Sequence, residues 1–512
     1  MMFSLCFRCA FLLCILFAAR LGVSVVQAQT VPSIDLNAID AYLQEERTIH
    51  RLPGLAVAIV EGDRVLLVRG YGNAGGGKPV TPQTQFYIGS CTKSFTALAV
   101  MQLVEQGKLD LDAPIQRYLP WFKVTDDAAS AQITVRHLLN HTSGLSEAGD
   151  SQSHIDFPSL TDQARALQHV RLTAPVGTKF QYYNPNYRVL GLLIEQVSGQ
   201  SYEEYLRDHV LKPLAMSQTV TRPTEASTLA QGYGQAFGLP IPRSQDFHPG
   251  SLPSGYLIST AEDLAHYLIA LLNNGRYGNE QVVQPATLAQ MLTPPIGINS
   301  EQIAPPPAVT QMFPSATGLE ADYGMGWIVG HSADGVNLIF HAGDLENFHA
   351  DMLLLPKQKR GFVILVNQGS LFRQFLDQNP LWIGLASLMI GHSLSPQSSM
   401  EWVFPVFALI VAADLGINLF RLWRLPRWGR KVAKRSRVVR WLCVLIDVVI
   451  PLAVLGFPLL LGPALGGKSG WSSLFDLLPD VAMWLILSAT LSLIRGAAKV
   501  MILTRPTSRQ TV

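Results

Sequence analysis

Cysteine is scarce in this chain, and its placement excludes more than its number does. Of five cysteines in 512 residues, Cys6, Cys9 and Cys14 lie near the N-terminus, Cys443 lies in a long apolar run, and only Cys91 is left for the soluble part. One thiol forms no intradomain bridge, so a disulfide-stapled fold is excluded. Cys91 itself reads as a small buried helix residue, because no pattern around it would activate a thiol. Charge is sparse too: 15% of residues are charged and 48% hydrophobic, with a mean hydropathy of +0.22. That composition suits one large domain plus something greasier. The net charge of +2 conceals a split: residues 401–512 hold 14 Lys+Arg against 5 Asp+Glu, a balance of +9, which leaves −7 for residues 1–400. The two parts face different surroundings.

Both ends of the chain point to a membrane. Arg8, the apolar run Cys9 to Ala19, Arg20 and the small residues before Gln29 have the layout of a secretory signal peptide over residues 1–28, cleaved near Ala28; an uncleaved anchor is the alternative. Toward the C-terminus, 402–420, 441–461 and 478–494 are apolar runs of spanning length. The link 421–440 carries nine Lys and Arg and no acid, and the tail 495–512 adds Arg495, Lys499, Arg505 and Arg509. The excess of cations on the cytoplasmic side of membrane proteins puts both stretches inside and everything before Trp402 outside. The flanking spans argue against nucleic acid as the partner of those cations; the bilayer is the expected partner. Asp414 and Asp447 each lie about six residues, roughly 9 Å of helix, from the basic link. They are either functional intramembrane acids or partners of interfacial arginines.

The chemistry centres on Ser90-Cys91-Thr92-Lys93, at the start of a helical apolar pattern that runs through Leu103 and stops at Gly107. Residues three apart share a helix face, so the Lys93 amine can come back beside the Ser90 hydroxyl. A lysine with a lowered pKa can take the serine proton, and helix-start N–H groups favour an oxyanion. Two further elements stand out. Tyr182, Tyr183 and Asn184 place a phenol and an amide in a turn, and His341-Ala342-Gly343 ends a strand. A lysine ammonium nearby would lower the tyrosine pKa enough for it to accept a serine proton. Ala342 and Gly343 would let a substrate lie along the strand edge. His141, in a polar turn after Ile133 to Leu139, reads as a structural residue.

Around these elements the pattern predicts an α/β (α+β) domain over 34–392. A helix in 34–54 is followed by strands Leu55 to Val60 and Val65 to Arg69, then by the Ser90 helix. Helices follow over Tyr187 to Val197 and from Thr260, and the proline-rich tract after Pro294 is a surface loop or lid. YGMGWIV, VNLIFHAG, ADMLLLP and GFVILVN are strands without helices between them, which implies an antiparallel sheet, closed by a helix from Leu381 to Ile390.

The ordered blocks IGSCTKSFTA, LLNHTSGL, FQYYNPNY, ISTAEDLA and YGMGW, with Ser-x-x-Lys, Tyr-x-Asn and His-x-Gly, resemble the β-lactamase-related serine hydrolases. That family includes class C β-lactamases, D-alanyl-D-alanine peptidases, D-amino-acid amidases and family VIII esterases. The resemblance implies an antiparallel sheet flanked by helices plus a helical subdomain, with the site in the cleft between. It implies that Ser90 attacks, that Lys93 and Tyr182 share base and acid work, and that Asn184, His341 and Gly343 meet the substrate. Ser90 and Asp344 would supply the backbone N–H groups of the oxyanion hole. No metal or organic cofactor is implied; the partner is a small-molecule or peptide substrate. His341 stands where many relatives have lysine, and Asn347 where they have glycine. A partly charged histidine holds a carboxylate less reliably, so peptidase or esterase chemistry ranks above β-lactam hydrolysis, and binding of a carboxylate substrate should weaken as His341 deprotonates. The sequence thus predicts an exported serine hydrolase, multi-pass in a bacterial cytoplasmic membrane with its catalytic domain outside. A non-hydrolytic sensor signalling through its helices is the alternative.

Overall fold

The computed structural model describes residues 33–152, 157–295, 320–331, 336–369, 381–392, 394, 401–461 and 470–504. The expected leader over 1–28, almost all of the proline-rich tract and residues 505–512 lie outside the described residues.

The domain opens with α1 (Leu36–Ile49), capped by the Asp35 carboxylate, followed by β1 (Gly54–Glu61), β2 (Arg64–Gly75) and the short β3 (Lys78–Pro79). A helical region follows, in which α2 (Thr92–Glu105) packs against α3 (Asn184–Ser198). The two-stranded hairpin β4 (Tyr233–Ala236) and β5 (Leu239–Pro242), the one-turn α4 (Leu252–Gly255) and α5 (Ala261–Leu272) come next. The chain then returns to strands: β6 (Glu320–Tyr323), β7 (Ile328–His331), β8 (Asn337–Asp344), β9 (His349–Leu355) and β10 (Arg360–Val366), before α6 (Leu381–Met389).

These strands form one eight-stranded antiparallel sheet in the order β6-β7-β8-β9-β10-β1-β2-β3. The first strand of the chain pairs with the last, Leu55 opposite Val366. β1 and β10 have almost no polar residues because both are buried; α5 lies across the two of them. Thr260 caps α5 by accepting from the Asp263 N–H at 3.1 Å. α2 is buried on every side from Thr92 to Leu103, which is why its apolar residues do not sort to one face. A central helix of this kind holds its N-terminus rigidly against the sheet, and Ser90 sits there.

Beyond the domain, α7 (Val403–Trp423), α8 (Leu425–Val432), α9 (Arg437–Leu461), α10 (Gly470–Leu477) and α11 (Pro479–Thr504) complete the described chain. Three of them, α7, α9 and α11, are long and apolar enough to cross a membrane. The third runs ten residues past Ile494, where the sequence pattern ended it, so Arg495 and Lys499 belong to a helix and not to a tail. They are tolerated inside because an acid faces them. Asp447 of α9 accepts from Arg495 at 2.9 Å through both oxygens and pairs with Lys499 at 2.7 Å. Arg495 also donates to Asn418 Oδ1 at 2.7 Å, and Asp414 accepts from Trp484 at 3.0 Å. Asp447 therefore reaches a cation of the third helix and not one of the basic link.

Candidate active site

Gly89–Cys91 forms a tight 3-10 turn immediately before α2, with Gly89 in the left-handed region at φ +49°. The Thr92 hydroxyl ties the turn by donating to the Gly89 carbonyl at 2.7 Å. Ser90 is half-exposed at its end, while the helix behind it is buried. Lys93, one turn on, is fully buried. Its Nζ lies 3.0 Å from Ser90 Oγ, 2.7 Å from Asn184 Oδ1 and 2.6 Å from the Ser254 carbonyl.

Burial holds the Lys93 pKa well below that of an ordinary lysine, and the nearby Arg188 charge pushes it the same way. A neutral amine has two N–H donors and one lone pair. Asn184 Oδ1 and the Ser254 carbonyl can only accept, so they use both donors, and the lone pair is left for the Ser90 hydroxyl. That is the arrangement a general base needs. α3 supplies Asn184 as its first residue and α4 supplies Ser254.

The Tyr182 ring centre lies 4.8 Å from Lys93 Nζ. It remains 37% exposed toward the cleft. Loss of hydration raises its pKa above that of an ordinary phenol, and the Ser90 side chain opposes this more weakly. The expectation of a phenol acidified by a lysine ammonium is therefore corrected: the Tyr182 pKa is raised and it is the Lys93 pKa that is lowered.

His341 is also corrected. It is buried, with Nε2 3.0 Å from the Tyr323 hydroxyl and Nδ1 2.6 Å from the Ala342 carbonyl. Burial lowers its pKa to about 3. It is uncharged at neutral pH and offers no cation to a substrate carboxylate, so the expected titration near neutral pH is absent.

Gly343 and Gly89 explain how the two backbone donors come together. A Cβ on Gly343 would overlap the Ile88 carbonyl oxygen and lie 2.9 Å from the Ser90 nitrogen; one on Gly89 would lie 2.6 Å from the Asp344 nitrogen. β8 and the Ser90 turn thus touch backbone to backbone, which brings the Ser90 and Asp344 backbone nitrogens into the same contact. Cys91 seals the contact from beneath, its buried thiol 3.2 Å from the His341 carbonyl.

Several participants carried no sequence signal that the motif reading used. His349, directly across the sheet from Asp344, has Nδ1 2.7 Å from Asp344 Oδ1 and Nε2 2.9 Å from Asp351 Oδ2. Burial alone would lower its pKa, but the two carboxylates outweigh it and hold His349 well above an ordinary histidine. The period-two spacing of His349 and Asp351 was the available clue. His141 is buried behind Tyr182, ring centres 4.5 Å apart, and accepts from the Tyr183 N–H at 3.2 Å. Its structural reading fits, since its ring packs against Tyr182 and its Nδ1 holds the Tyr183 N–H. Asn347 is buried and donates to the Ser244 carbonyl at 2.7 Å, tying β8's following turn to the segment after β5.

Comparison with known proteins agrees with this geometry. The chain is 29% identical over 460 residues to protein flp of Staphylococcus aureus (strain MW2), covering 86% of this chain and 85% of that protein. It is 34% identical over 235 residues to penicillin-binding protein 4 of Amycolatopsis lactamdurans, covering 45% of this chain and 62% of that one. Among solved structures, the octameric penicillin-binding protein homologue from Pyrococcus abyssi superposes with a TM-score of 0.59 at 27% identity, over 70% of this chain and 78% of that one. The family described as Beta-lactamase matches residues 39–383, so this chain belongs to the Beta-lactamase family of serine hydrolases.

Proposed function

We propose that this protein is an exported, membrane-tethered serine hydrolase that acts through an acyl-enzyme on an amide or ester: a D-amino-acid or cell-wall peptide, or an ester. The observation that carries this reading is the buried Lys93 amine, its pKa pushed well down and its Nζ 3.0 Å from Ser90 Oγ. Ser90 Oγ attacks the acyl carbon as its proton passes to Lys93. The carbonyl oxygen becomes an oxyanion held by the Ser90 and Asp344 N–H groups. Tyr182, still protonated, hands a proton to the leaving amine or alcohol and is recharged from Lys93. Water then repeats the sequence on the ester, with Lys93 again as base.

Neutral His341 favours acyl donors whose recognition does not depend on a carboxylate, so β-lactams are poorer substrates than esters or amides. The helices α7, α9 and α11 hold the domain at a bacterial cytoplasmic membrane. The basic stretch between Arg421 and Arg440 lies inside and the cleft lies outside. The test is single-turnover acylation of the full chain by an activated ester and a fluorescent penicillin, followed by mass spectrometry. Wild type acylates and turns over; Ser90→Ala forms no adduct. Labelling of Ser90→Ala would remove Ser90 from the mechanism, and an adduct on wild type that never decays would replace hydrolysis with sensing.

A further inference from the structure

The hairpin β4–β5 stands between the catalytic cleft and the membrane helices. Its two-residue turn is Phe237-Gly238, both at positive φ, +50° and +74°. A phenylalanine rarely adopts that conformation, and here two contacts hold it. The Phe237 N–H donates to Asp480 of α11 at 3.0 Å, and its ring stacks on Phe407 of α7 with centres 5.8 Å apart. Gly238 packs directly on Phe404, where a Cβ would meet the ring at 2.8 Å. Phe404 and Phe407 lie in the first five residues of α7, and Asp480 is the second residue of α11. The tip therefore sits at the level where both helices begin, which is the outer lipid boundary if the chain crosses the membrane as proposed above.

At that level β5 presents Leu239 and Ile241, two residues apart on one face and 54% and 48% exposed. Scattered exposed apolar residues are ordinary. These two follow directly on the tip that packs on α7, and α7 exposes apolar residues of its own, Leu409 at 69%. Past β5 the chain leads straight into the site: Ser244 accepts from Asn347 beside the oxyanion strand, and Ser254 accepts from Lys93.

We propose that the β4–β5 hairpin is a membrane contact of its own, with its Leu239/Ile241 face lying in the outer lipid interface. It thereby holds the catalytic cleft at a fixed height over the bilayer through residues 243–255. The occupant of that face is phospholipid, the same bilayer that surrounds the three helices. This rests on the membrane reading, and the experiment separates the two. A polarity-sensitive fluorophore is placed on the full chain at Leu239→Cys, Ile241→Cys, Leu409→Cys and Lys78→Cys. Cys443 and the N-terminal cysteines are replaced by serine, and buried Cys91 stays unlabelled. The proteins are reconstituted into phosphatidylethanolamine/phosphatidylglycerol vesicles containing a shallow doxyl lipid. Labels at 239, 241 and 409 are quenched roughly two-fold or more, and the label at exposed Lys78 is not. Quenching at 409 with both hairpin labels behaving like Lys78 overturns the hairpin contact and leaves the helices in place. No quenching at 409 overturns the membrane reading and the hairpin contact with it.

Discussion

Replacing Gly343 by alanine tests the backbone contact on which the oxyanion hole depends. The new methyl group would overlap the Ile88 carbonyl oxygen and come within 2.9 Å of the Ser90 nitrogen, both backbone atoms with no rotamer to yield. Clearing that overlap to ordinary van der Waals distance takes on the order of 1 Å of separation between β8 and the Ser90 turn. A shift of that size at a catalytic donor costs about 100-fold in rate, or about 2.7 kcal/mol of transition-state stabilisation. Because Lys93 is held by Asn184 and Ser254 and not by β8, its base function stays in place. Gly343→Ala should therefore lose kcat/KM on an activated ester by about two orders of magnitude while its thermal unfolding shifts only a few degrees. An alanine variant within about three-fold of wild type would show that β8 does not supply an oxyanion donor.

Other expectations follow from the charges. Since Lys93 titrates well below 10.5, kcat/KM on an uncharged ester should fall as pH drops through its pKa and be flat above it. A rate still rising near pH 10.5 would contradict a neutral Lys93, and Lys93→Arg, which cannot deprotonate, should lose on the order of 10³-fold. His349 has a raised folded pKa, so its stabilisation is complete below 6.5 and is lost as pH rises through the folded value. His349→Gln should unfold at a lower temperature than wild type near neutral pH and lack that alkaline loss; identical pH profiles of melting would dismiss the carboxylate sandwich. In the membrane helices, Asp447→Asn leaves Arg495 and Lys499 without their anion and should destabilise the bundle by about 3 kcal/mol in mixed-micelle unfolding. An unchanged midpoint would mean that the pair contributes nothing to helix packing.

Local chemistry made part of this molecule readable before any coordinates. Ser90 and Lys93 share a helix face by spacing, the strands of β8 to β10 alternate with turn residues, and the membrane helices follow from length and hydropathy. What stayed hidden depends on contacts between distant segments. The Ser254 carbonyl is 161 positions from Lys93, and no local pattern distinguishes it from any other peptide oxygen. The raised pKa of Tyr182 and the lowered pKa of His341 escape a sequence reading for the same reason: sequence names the neighbouring groups but not how far desolvation outweighs them. Arg495 and Lys499 were read as a tail because two cations in an apolar run look like its end until Asp447 is placed opposite them.

The pairing of β1 with β10 has a consequence for biogenesis. Leu55 emerges from the ribosome long before Val366, and until that last strand arrives β1 has an open edge with an apolar face on each side. In the orientation proposed above, the nascent catalytic part crosses the membrane without its finished sheet. Only a few dozen residues separate Val366 from the first apolar helix at Val403, so in that orientation the strand that completes the sheet leaves the translocation channel just ahead of the segment that would stop transfer. Under the proposed topology, closure of the sheet and arrest in the bilayer are thus adjacent events in the life of each molecule.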